Sequence, residues 1–236
     1  MNTILFDLDG TLLPMEQEVF LKRYMGALSA KLVPYGYEPK VLIGGVWKGM
    51  EAMVENDGRE TNEAVFWRTF SAVLGEGVRR HEAVFEDFYR NEFVAAKEGT
   101  ACAPQAAAAV RILREKGYEL ILATNPVFPR VATLTRMRWA GLDPADFRDI
   151  TTYEHYHFCK PNPAYFQEIL AQNGRDAADC LMIGNDTCED LCAEKAGIQV
   201  FFLTDCLINT DGVDITQYRH GDFDELLRLA ESLPRV

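Results

Sequence analysis

The sequence predicts an α/β fold, in which a parallel sheet carries helices on both faces and a helical domain is inserted near the start of the chain. From about residue 99 onward, short apolar runs alternate with segments of helical spacing, which is typical of such a sheet. The runs are almost continuously apolar, as in ELILAT at residues 119–124, and this indicates strands buried on both faces. A long helical segment separates the first strand from the second.

The first element is a strand over Thr3 to Asp7, and residues 14–98 form the inserted segment. The apolar residues of its first helix recur at helical spacing as Leu21, Met25, Leu28 and Leu32. Similar spacing continues to Phe88, which favours a bundle of amphipathic helices. We therefore predict a core domain of residues 1–13 and 99–236, with a helical cap domain of residues 14–98 inserted into it.

The remaining elements belong to a Rossmann-like core. Pro104 opens an alanine-rich helix, because proline is well tolerated in a first helical turn. A strand ending at Thr124 follows, and then a helix over about residues 128–139. Further strands are predicted near residues 148–152, 180–184 and 199–203.

Composition excludes several classes of function. The 236 residues carry a net charge of −12, so the chain has no excess of cations with which to bind a nucleic-acid backbone or an anionic membrane. No apolar run reaches membrane-spanning length and no export signal precedes the acidic residue Asp7, so we expect a cytoplasmic protein. Its six cysteines are then expected to be reduced thiols.

Polar residues cluster where the predicted strands end. Parallel strands bind ligands at their carboxyl ends, and the polar side chains there are Asp7, Asp9, Thr124, Asn125, Asn185, Asp186 and Asp190. Carboxylates gathered in one crevice repel one another, so the cluster requires a cation. An all-oxygen site suits Mg²⁺, which also commonly binds substrate phosphates.

The same residues allow phosphoryl chemistry. Asp7 is positioned as a nucleophile that forms an aspartyl-phosphate, and Asp9 as the group that protonates the leaving oxygen and later deprotonates water. Lys160, in FCKPNPAYF, is expected to offset negative charge. Thr124 and the backbone N–H of Asn125 are expected to hold phosphoryl oxygens.

Two residues of the first loop are predicted to shape it. Gly10 allows the backbone to turn sharply away from the strand. Thr11 is expected to brace either Asp9 or the loop itself through its hydroxyl group. Every residue of the DLDGT segment would therefore have a use.

These motifs resemble those of the haloacid dehalogenase-like hydrolases. DLDGT at residues 7–11 is similar to the first motif of that family, Thr124 in ILATN to the second, Lys160 in KPNP to the third and IGNDTCED to the fourth. They occur in the order of the family and span nearly the whole chain.

The resemblance implies a phosphatase, because members with an acid at the Asp9 position are generally phosphatases or phosphoryl-transfer enzymes. It implies that Asp7, the backbone carbonyl of Asp9 and Asp186 hold Mg²⁺, with Asn185 and Asp190 in support. Many members have an acid where Asn185 stands. Asp186 and Asp190 lie four residues apart, so both would share one face of a helix that opens there. The cap is implied to close over the site.

Other residues have simpler interpretations. Three possible metal ligands lie at alternate positions before Lys160: His155, His157 and Cys159. A zinc site would need a fourth ligand and the ligand spacing typical of such sites, so we interpret these residues as part of the loop that leads to Lys160. Cys188 and Cys192 are expected to pack a helix against the sheet. Four cap residues remain candidates for substrate contact, and the sequence does not distinguish among them: Arg23, Trp47, Lys48 and Arg68.

The leading hypothesis is a magnesium-dependent phosphatase that acts on a small phosphorylated metabolite, as a monomer or a homodimer. A sugar-phosphate mutase would use the same residues but return the phosphoryl group to its substrate. A phosphonate-cleaving enzyme would need a cap lysine that forms a Schiff base. A receiver-like switch would accept phosphate without turnover, but it requires neither Asp9 nor a cap.

Overall fold

The computed structural model describes residues 1–236, and its six parallel strands form a single sheet. The strands are β1 (Thr3–Phe6), β2 (Glu119–Leu122), β3 (Asp149–Ile150), β4 (Cys180–Gly184), β5 (Gln199–Leu203) and β6 (Arg219–Gly221). Their order is β3-β2-β1-β4-β5-β6. The chain therefore runs outward in one direction from β1 to β3 and in the other from β4 to β6, which places a ligand crevice at the carboxyl ends of β1 and β4.

Helices cover both faces of this sheet. They are α5 (Pro104–Glu115), α6 (Arg130–Trp139), α7 (Pro163–Asn173) and α8 (Phe223–Ser232). Ile4 and Phe6 of β1 pack on one side with α5 and α8, whereas Leu5 packs on the other with Tyr165 and Ile169 of α7. Every residue of β1 is buried, which explains why Ile4, Leu5 and Phe6 follow one another without a polar residue. The predicted α/β class is confirmed.

The inserted segment is mainly helical and contains none of the strands of the sheet. It contains α1 (Gln17–Leu32), α2 (Pro39–Val54), α3 (Asn62–Leu74) and α4 (Glu82–Arg90). Its aromatic side chains form a cluster of their own, in which Phe20 and Phe93 make an edge-to-face contact with a centroid separation of 6.1 Å. A bridge between Met15 and Thr100 brings the two ends of the segment side by side.

The cluster of the inserted segment continues into the core through α6. Phe93 stacks on Trp139 at a centroid separation of 5.3 Å, and Phe128 lies 6.4 Å from Phe20. Phe128 and Ala132 are buried within the same cluster. The helix after β2 therefore touches both the sheet and the inserted helices. None of the helices combines the length and the apolar composition needed to cross a membrane.

Several predicted boundaries differ from the structure. β3 has only two residues, Asp149–Ile150, because it pairs with β2 alone at one edge of the sheet. α6 begins at Arg130 instead of residue 128, after Pro129 in an extended conformation. β6 was not predicted, since its sequence RHG has none of the apolar character of a buried strand.

Candidate active site

The three central strands end at the same level. Phe6 pairs with Leu122 of β2 and with Ile183 of β4, so the residues after each strand face one crevice. Asp7 continues the ladder by donating its backbone N–H to the carbonyl of Ile183 at 2.9 Å. Three segments that are far apart in sequence thus deliver their polar residues to one place.

Lys160 is the cationic centre of this crevice. Its side chain is fully buried, and Nζ donates to Asp7 Oδ1 at 2.9 Å and to Asp190 Oδ1 at 2.6 Å. Burial alone would lower the pKa of Lys160, but the carboxylates of Asp190 and Asp7 raise it above its ordinary value. The lysine is therefore a protonated group shared by two acids.

Asp7 is a buried carboxyl group with an altered affinity for protons. Burial raises its pKa to about 7, against the lowering effect of Lys160, and the charges of Asp190 and Asp9 add to the rise. Its Oδ1 atom accepts the hydrogen bond from Lys160, while Oδ2 accepts no hydrogen bond. One oxygen is thus held in place and the other is left for a metal ion or a substrate.

The loop after β1 folds back on itself at a glycine. Gly10 has a φ of +86°, and a Cβ atom there would lie 2.3 Å from Nδ2 of Asn185, so only glycine fits without strain. The Thr11 hydroxyl donates to Asn185 Oδ1 at 2.9 Å. Of the two roles predicted for Thr11, the structure shows the bracing of the loop and no contact with Asp9.

Thr124 and Asn125 lie at the end of β2. The Thr124 carbonyl accepts hydrogen bonds from Thr151 Oγ1 at 2.6 Å and Tyr165 Oη at 2.8 Å. Its hydroxyl group, like the backbone N–H of Asn125, has no partner within the protein. The two groups predicted to hold phosphoryl oxygens are therefore unoccupied donors beside the crevice.

The Asn125 side chain has a separate task. Its Oδ1 accepts the backbone N–H of Lys160 at 3.2 Å, and its Nδ2 donates to Glu189 at 3.1 Å. It therefore links the loop of the lysine to the segment after β4.

Asp190 organises the segment after β4. Its Oδ2 accepts the backbone N–H groups of Asn185 at 2.9 Å and Asp186 at 3.0 Å, and Gly184 leaves room for it, since a Cβ there would lie 2.1 Å from the same oxygen. The predicted helix at Asp186 is wrong. A turn with a hydrogen bond from Asp190 N to Asp186 O precedes a 3-10 helix over Leu191–Ala196, because the Asp190 carboxylate ties the backbone back toward β4.

Asn185 and Asp186 differ in whether a side-chain oxygen remains without a hydrogen bond. The Asn185 amide is occupied on both sides, by Thr11 and by the carbonyl of Cys206, to which Nδ2 donates at 2.7 Å. Asp186 Oδ1 accepts the N–H groups of Cys188 at 2.7 Å and Glu189 at 3.0 Å, while Oδ2 accepts none. Between these two neighbours, Asp186 is the one with an oxygen available to a cation.

The donors in the crevice fit a magnesium ion. No group of three His, Cys, Asp or Glu side chains is placed to hold a metal by itself, but the predicted ligands include only two side chains. Asp7 Oδ2, Asp186 Oδ2 and the Asp9 carbonyl accept no hydrogen bond in the structure. All three are oxygen atoms, as Mg²⁺ prefers.

The expectation that all the carboxylates converge on one cation needs correction, because the Asp9 carboxylate forms a separate ion pair with Arg136. Asp9 Oδ2 accepts a hydrogen bond from Nη1 of Arg136, whose side chain is 1% exposed. Arg136 was not predicted to belong to the site, since an arginine on an amphipathic helix ordinarily faces solvent.

Glu189 was also missed by sequence analysis. It belongs to the fourth motif and lies beside the crevice, where it accepts a hydrogen bond from Asn125. Burial raises its pKa to about 8, although the charge of Lys160 acts in the opposite direction. No pattern in the sequence distinguishes it from an exposed glutamate.

A large cavity lies elsewhere. It has a volume of about 790 Å³ and is enclosed by the inserted helices and the outer side of α6, with Trp67, Tyr89 and Phe128 among its walls. None of the predicted catalytic residues lines it. The guanidinium of Arg136 stacks on the Phe128 ring at 4.3 Å, so that ring stands between the cavity and the Arg136–Asp9 pair.

The remaining candidates do not join the crevice. His157 Nδ1 pairs with Glu168 at 2.7 Å, and Cys159 is a buried thiol near Asn62, which agrees with a structural loop before Lys160. Cys192 is buried as expected, but Cys188 is exposed because it lies in the turn and not on a helix. Four residues of the inserted segment that were candidates for substrate contact are exposed and line neither the crevice nor the cavity: Arg23, Trp47, Lys48 and Arg68.

Known proteins are similar to this chain in sequence. A sequence profile of the haloacid dehalogenase-like hydrolases matches residues 1–197. The pyrophosphatase PpaX of Bacillus pumilus is 24% identical over 198 residues, which is 83% of this chain and 80% of that protein. The phosphoglycolate phosphatase of Vibrio parahaemolyticus is 25% identical over 202 residues, or 85% and 82% of the two chains.

A solved structure agrees in fold over the full length. The crystal structure of a HAD phosphatase from Thermococcus onnurineus superimposes with a TM-score of 0.63 at 18% identity and covers 100% of both chains. Because the family profile extends from the first strand through the segment after β4, it includes every residue of the crevice. The chain is an enzyme of the haloacid dehalogenase-like hydrolase family.

Proposed function

We propose that this enzyme is a magnesium-dependent phosphatase that hydrolyses a small phosphorylated metabolite through an aspartyl-phosphate intermediate. The observation that carries the proposal is the state of Asp7, one of whose oxygens is held by the buried Lys160 while the other is free. A carboxylate fixed in this way at a strand end is oriented for attack on phosphorus. The two curated relatives, both named as phosphatases, support the same reaction class.

The first step forms a bond between an Asp7 oxygen and phosphorus while the bond from phosphorus to the leaving oxygen breaks. Asp9 donates a proton to that leaving oxygen, so the product departs as an alcohol. The free Thr124 hydroxyl and the Asn125 backbone N–H bind the phosphoryl oxygens, and Lys160 offsets their charge.

The second step releases phosphate. Asp9, now a carboxylate, accepts a proton from a water molecule as the water attacks phosphorus and the bond to Asp7 breaks. The enzyme is thereby restored. Asp7, the Asp9 carbonyl and Asp186 would hold Mg²⁺, which supplies positive charge that offsets both the carboxylates and the phosphoryl oxygens.

Residues 14–98 act as a cap that closes over the crevice and selects the substrate. Two contacts support this role: the Asn62 side chain donates to Cys159 Sγ at 3.3 Å, directly before Lys160, and its backbone N–H donates to the Tyr156 carbonyl at 2.9 Å. The helical segment therefore already touches the loop that carries the lysine.

A phosphate-release assay with a panel of phosphoesters tests the proposal. Pyrophosphate and phosphoglycolate belong in the panel because the relatives are named for them. We expect hydrolysis of at least one compound with Mg²⁺, its loss when EDTA is added, and its loss in Asp7→Asn. Absence of phosphate release from the whole panel would contradict the proposal.

Two further measurements separate the alternatives. A sugar-phosphate mutase would convert its substrate into an isomer with little free phosphate, which product analysis by NMR detects. A receiver-like switch would retain its aspartyl-phosphate for long periods, whereas we expect rapid loss that slows greatly in Asp9→Asn. The oligomeric state, monomer or homodimer, is measured by light scattering.

A further inference from the structure

Helix α2 of the inserted segment is apolar on both of its sides. Its inner side is buried, with Leu42 and Met53 among the residues packed there. Its outer face leaves three large apolar side chains exposed: Val41 (47%), Trp47 (41%) and Val54 (40%). A helix that is apolar all round is typical of one covered on both sides. Because the chain itself leaves this outer face open, a cover would have to come from another molecule.

The charged residues of the outer face have no partner within the chain. They are all exposed, and the ion pairs of the inserted segment use other residues. The two lysines precede the two glutamates along the chain: Lys40, Lys48, Glu51 and Glu55. The face is therefore positive over its first part and negative over its last, so a copy of it turned end to end has the complementary order of charge.

We infer that the outer face of α2 binds a second copy of this chain, whose own α2 runs antiparallel to the first. The inference is independent of the proposed phosphatase activity. At 3.6 residues per turn, the residues of the face share one side of the helix and of the position directly after it. They are Lys40, Val41, Gly44, Trp47, Lys48, Glu51, Val54 and Glu55.

A twofold axis between Trp47 and Lys48 makes this face complementary to itself. In an antiparallel pair of helices, residues equally far from the axis on opposite sides face each other across the interface, and each contact occurs twice. A small crossing angle of about 20° keeps such contacts along the whole helix. The facing pairs are then apolar, ionic and cation–π: Val41 with Val54, Lys40 with Glu55, and Trp47 with Lys48.

Gly44, in the middle of the outer face, is not required by the fold of a single chain. The neighbouring Gly45 is required, because a Cβ atom there would lie 2.4 Å from the Leu74 side chain of α3. A Cβ atom at Gly44 would meet nothing within 4 Å, although glycine destabilises a helix relative to alanine. A glycine here lets another helix approach closely.

The same register fills the space over Gly44. Glu51 of the second copy lies opposite it, and Lys40 and Lys48 stand one turn to either side of Gly44 on the first helix. The carboxylate of Glu51 is then seated between two cations of the other chain. The absence of a side chain at Gly44 and the order of the charges thus have one common explanation.

Sedimentation equilibrium of the full chain measures the dimer. One helix from each copy is less than the roughly 20–30 residues per side of a standard interface, so we expect a weak dimer with a Kd of about 10–100 μM. A protein that is still monomeric at about 300 μM would overturn the inference, since most of the chains should be paired at that concentration.

Two substitutions test the centre of the face. Gly44→Glu places a carboxylate against Glu51 of the second copy and should abolish the dimer. Trp47→Ser should raise Kd on the order of tenfold, because tryptophan is enriched among residues that dominate binding. The matched control is Val94→Ser, which removes an exposed apolar residue outside the face and should leave Kd unchanged. Dimerisation of Gly44→Glu with the Kd of the unmutated protein would refute the assignment of the face.

A charge swap tests the antiparallel register. Lys40→Glu and Glu55→Lys should each raise Kd on the order of tenfold, because each puts like charges opposite one another in both copies of the pair. The double variant restores opposite charges and should regain the original Kd. Lys97→Glu, at an exposed lysine outside the face, is the control. A double variant that dimerises no better than either single variant contradicts this register.

Circular dichroism shows whether each variant is folded. If Gly44→Glu does not fold, the charge variants still decide the question, because they change only exposed side chains. None of these measurements uses phosphate release, so a failure of the proposed function would leave their outcome unaffected.

Discussion

Replacement of Lys160 by methionine tests the electrostatic account of the crevice. The lysine side chain is fully buried, and its Nζ bonds to two carboxylates whose side chains are 10% and 1% exposed, Asp7 and Asp190. Methionine has a similar volume, so the packing is retained while the charge is lost. Two buried carboxylates then face each other without a cation.

The expected loss of stability follows from the burial of Lys160 and its two carboxylate partners. Removal of one partner from a buried ion pair typically costs about 3–5 kcal/mol, because the other charge remains uncompensated. For a chain of this size each kcal/mol lowers Tm by roughly 2–4 °C, so we expect Lys160→Met to lower Tm by about 6 to 20 °C. The loss should be greatest when EDTA is present, because any bound cation offsets part of the repulsion.

Thermal unfolding followed by circular dichroism measures this change. Lys195→Met is the matched control, since Lys195 is exposed and makes no ion pair, and its Tm should stay within about 2 °C of the unmutated enzyme. The double variant Lys160→Met/Asp190→Asn should be less destabilised than the sum of the two single variants, by about 1 kcal/mol or more. A Tm for Lys160→Met equal to that of the control would refute the reasoning.

Three other changes have defined outcomes. Asp9→Asn should slow hydrolysis of the Asp7 phosphoenzyme on the order of 100-fold. With p-nitrophenyl phosphate, whose leaving group needs little protonation, the phosphoenzyme should still form, so that intact mass spectrometry after rapid quenching detects it. Gly10→Ala should lower the free energy of unfolding by about 1–2 kcal/mol and reduce kcat. The reason is that φ at this position is +86° and an added Cβ would meet the Asn185 side chain. Urea denaturation tests the first effect and initial rates test the second. Phe70→Ala should cost about 3–5 kcal/mol in urea denaturation, since Phe70 is fully buried among the aromatic rings of the inserted helices; a cost under 1 kcal/mol would contradict this.

Much of the fold was predictable because its signals are local. β1 is buried along its whole length, and three of its four residues, Ile4, Leu5 and Phe6, are apolar for that reason. The alanine-rich sequence after Pro104 had to form a helix that packs closely, and α5 spans Pro104–Glu115. The strand β6 had no such signal, since its three residues are partly or fully exposed and pair with β5 only at the edge of the sheet.

The residues of the crevice were predictable for a different reason. Parallel strands must end at one edge, so polar residues directly after β1, β2 and β4 had to meet there. The structure brings together Asp7 and Asp190 in this way, and Lys160 joins them from the loop after β3. Their roles in catalysis stay predictions.

The segment after β4 shows where this reasoning fails. Four-residue spacing between Asp186 and Asp190 favoured a helix, but the Asp190 carboxylate binds the backbone N–H groups of Asn185 and Asp186. A side chain that competes for backbone groups in this way produces a turn in place of a helix. The sequence holds no sign of that choice, because the side chain is also held by Lys160 from another loop.

The sequence by itself determined the order of the first five strands and of the helices between them, the resemblance to the family and the polar residues delivered to the crevice, because each is encoded in a short stretch of chain. The tertiary structure decided which acid faces which cation. Asp9 pairs with Arg136, 127 residues away, and Thr11 with Asn185, 174 residues away. Such pairs depend on how the sheet and α6 pack around the first loop, and the free energy of a buried charge is set by all of its neighbours at once.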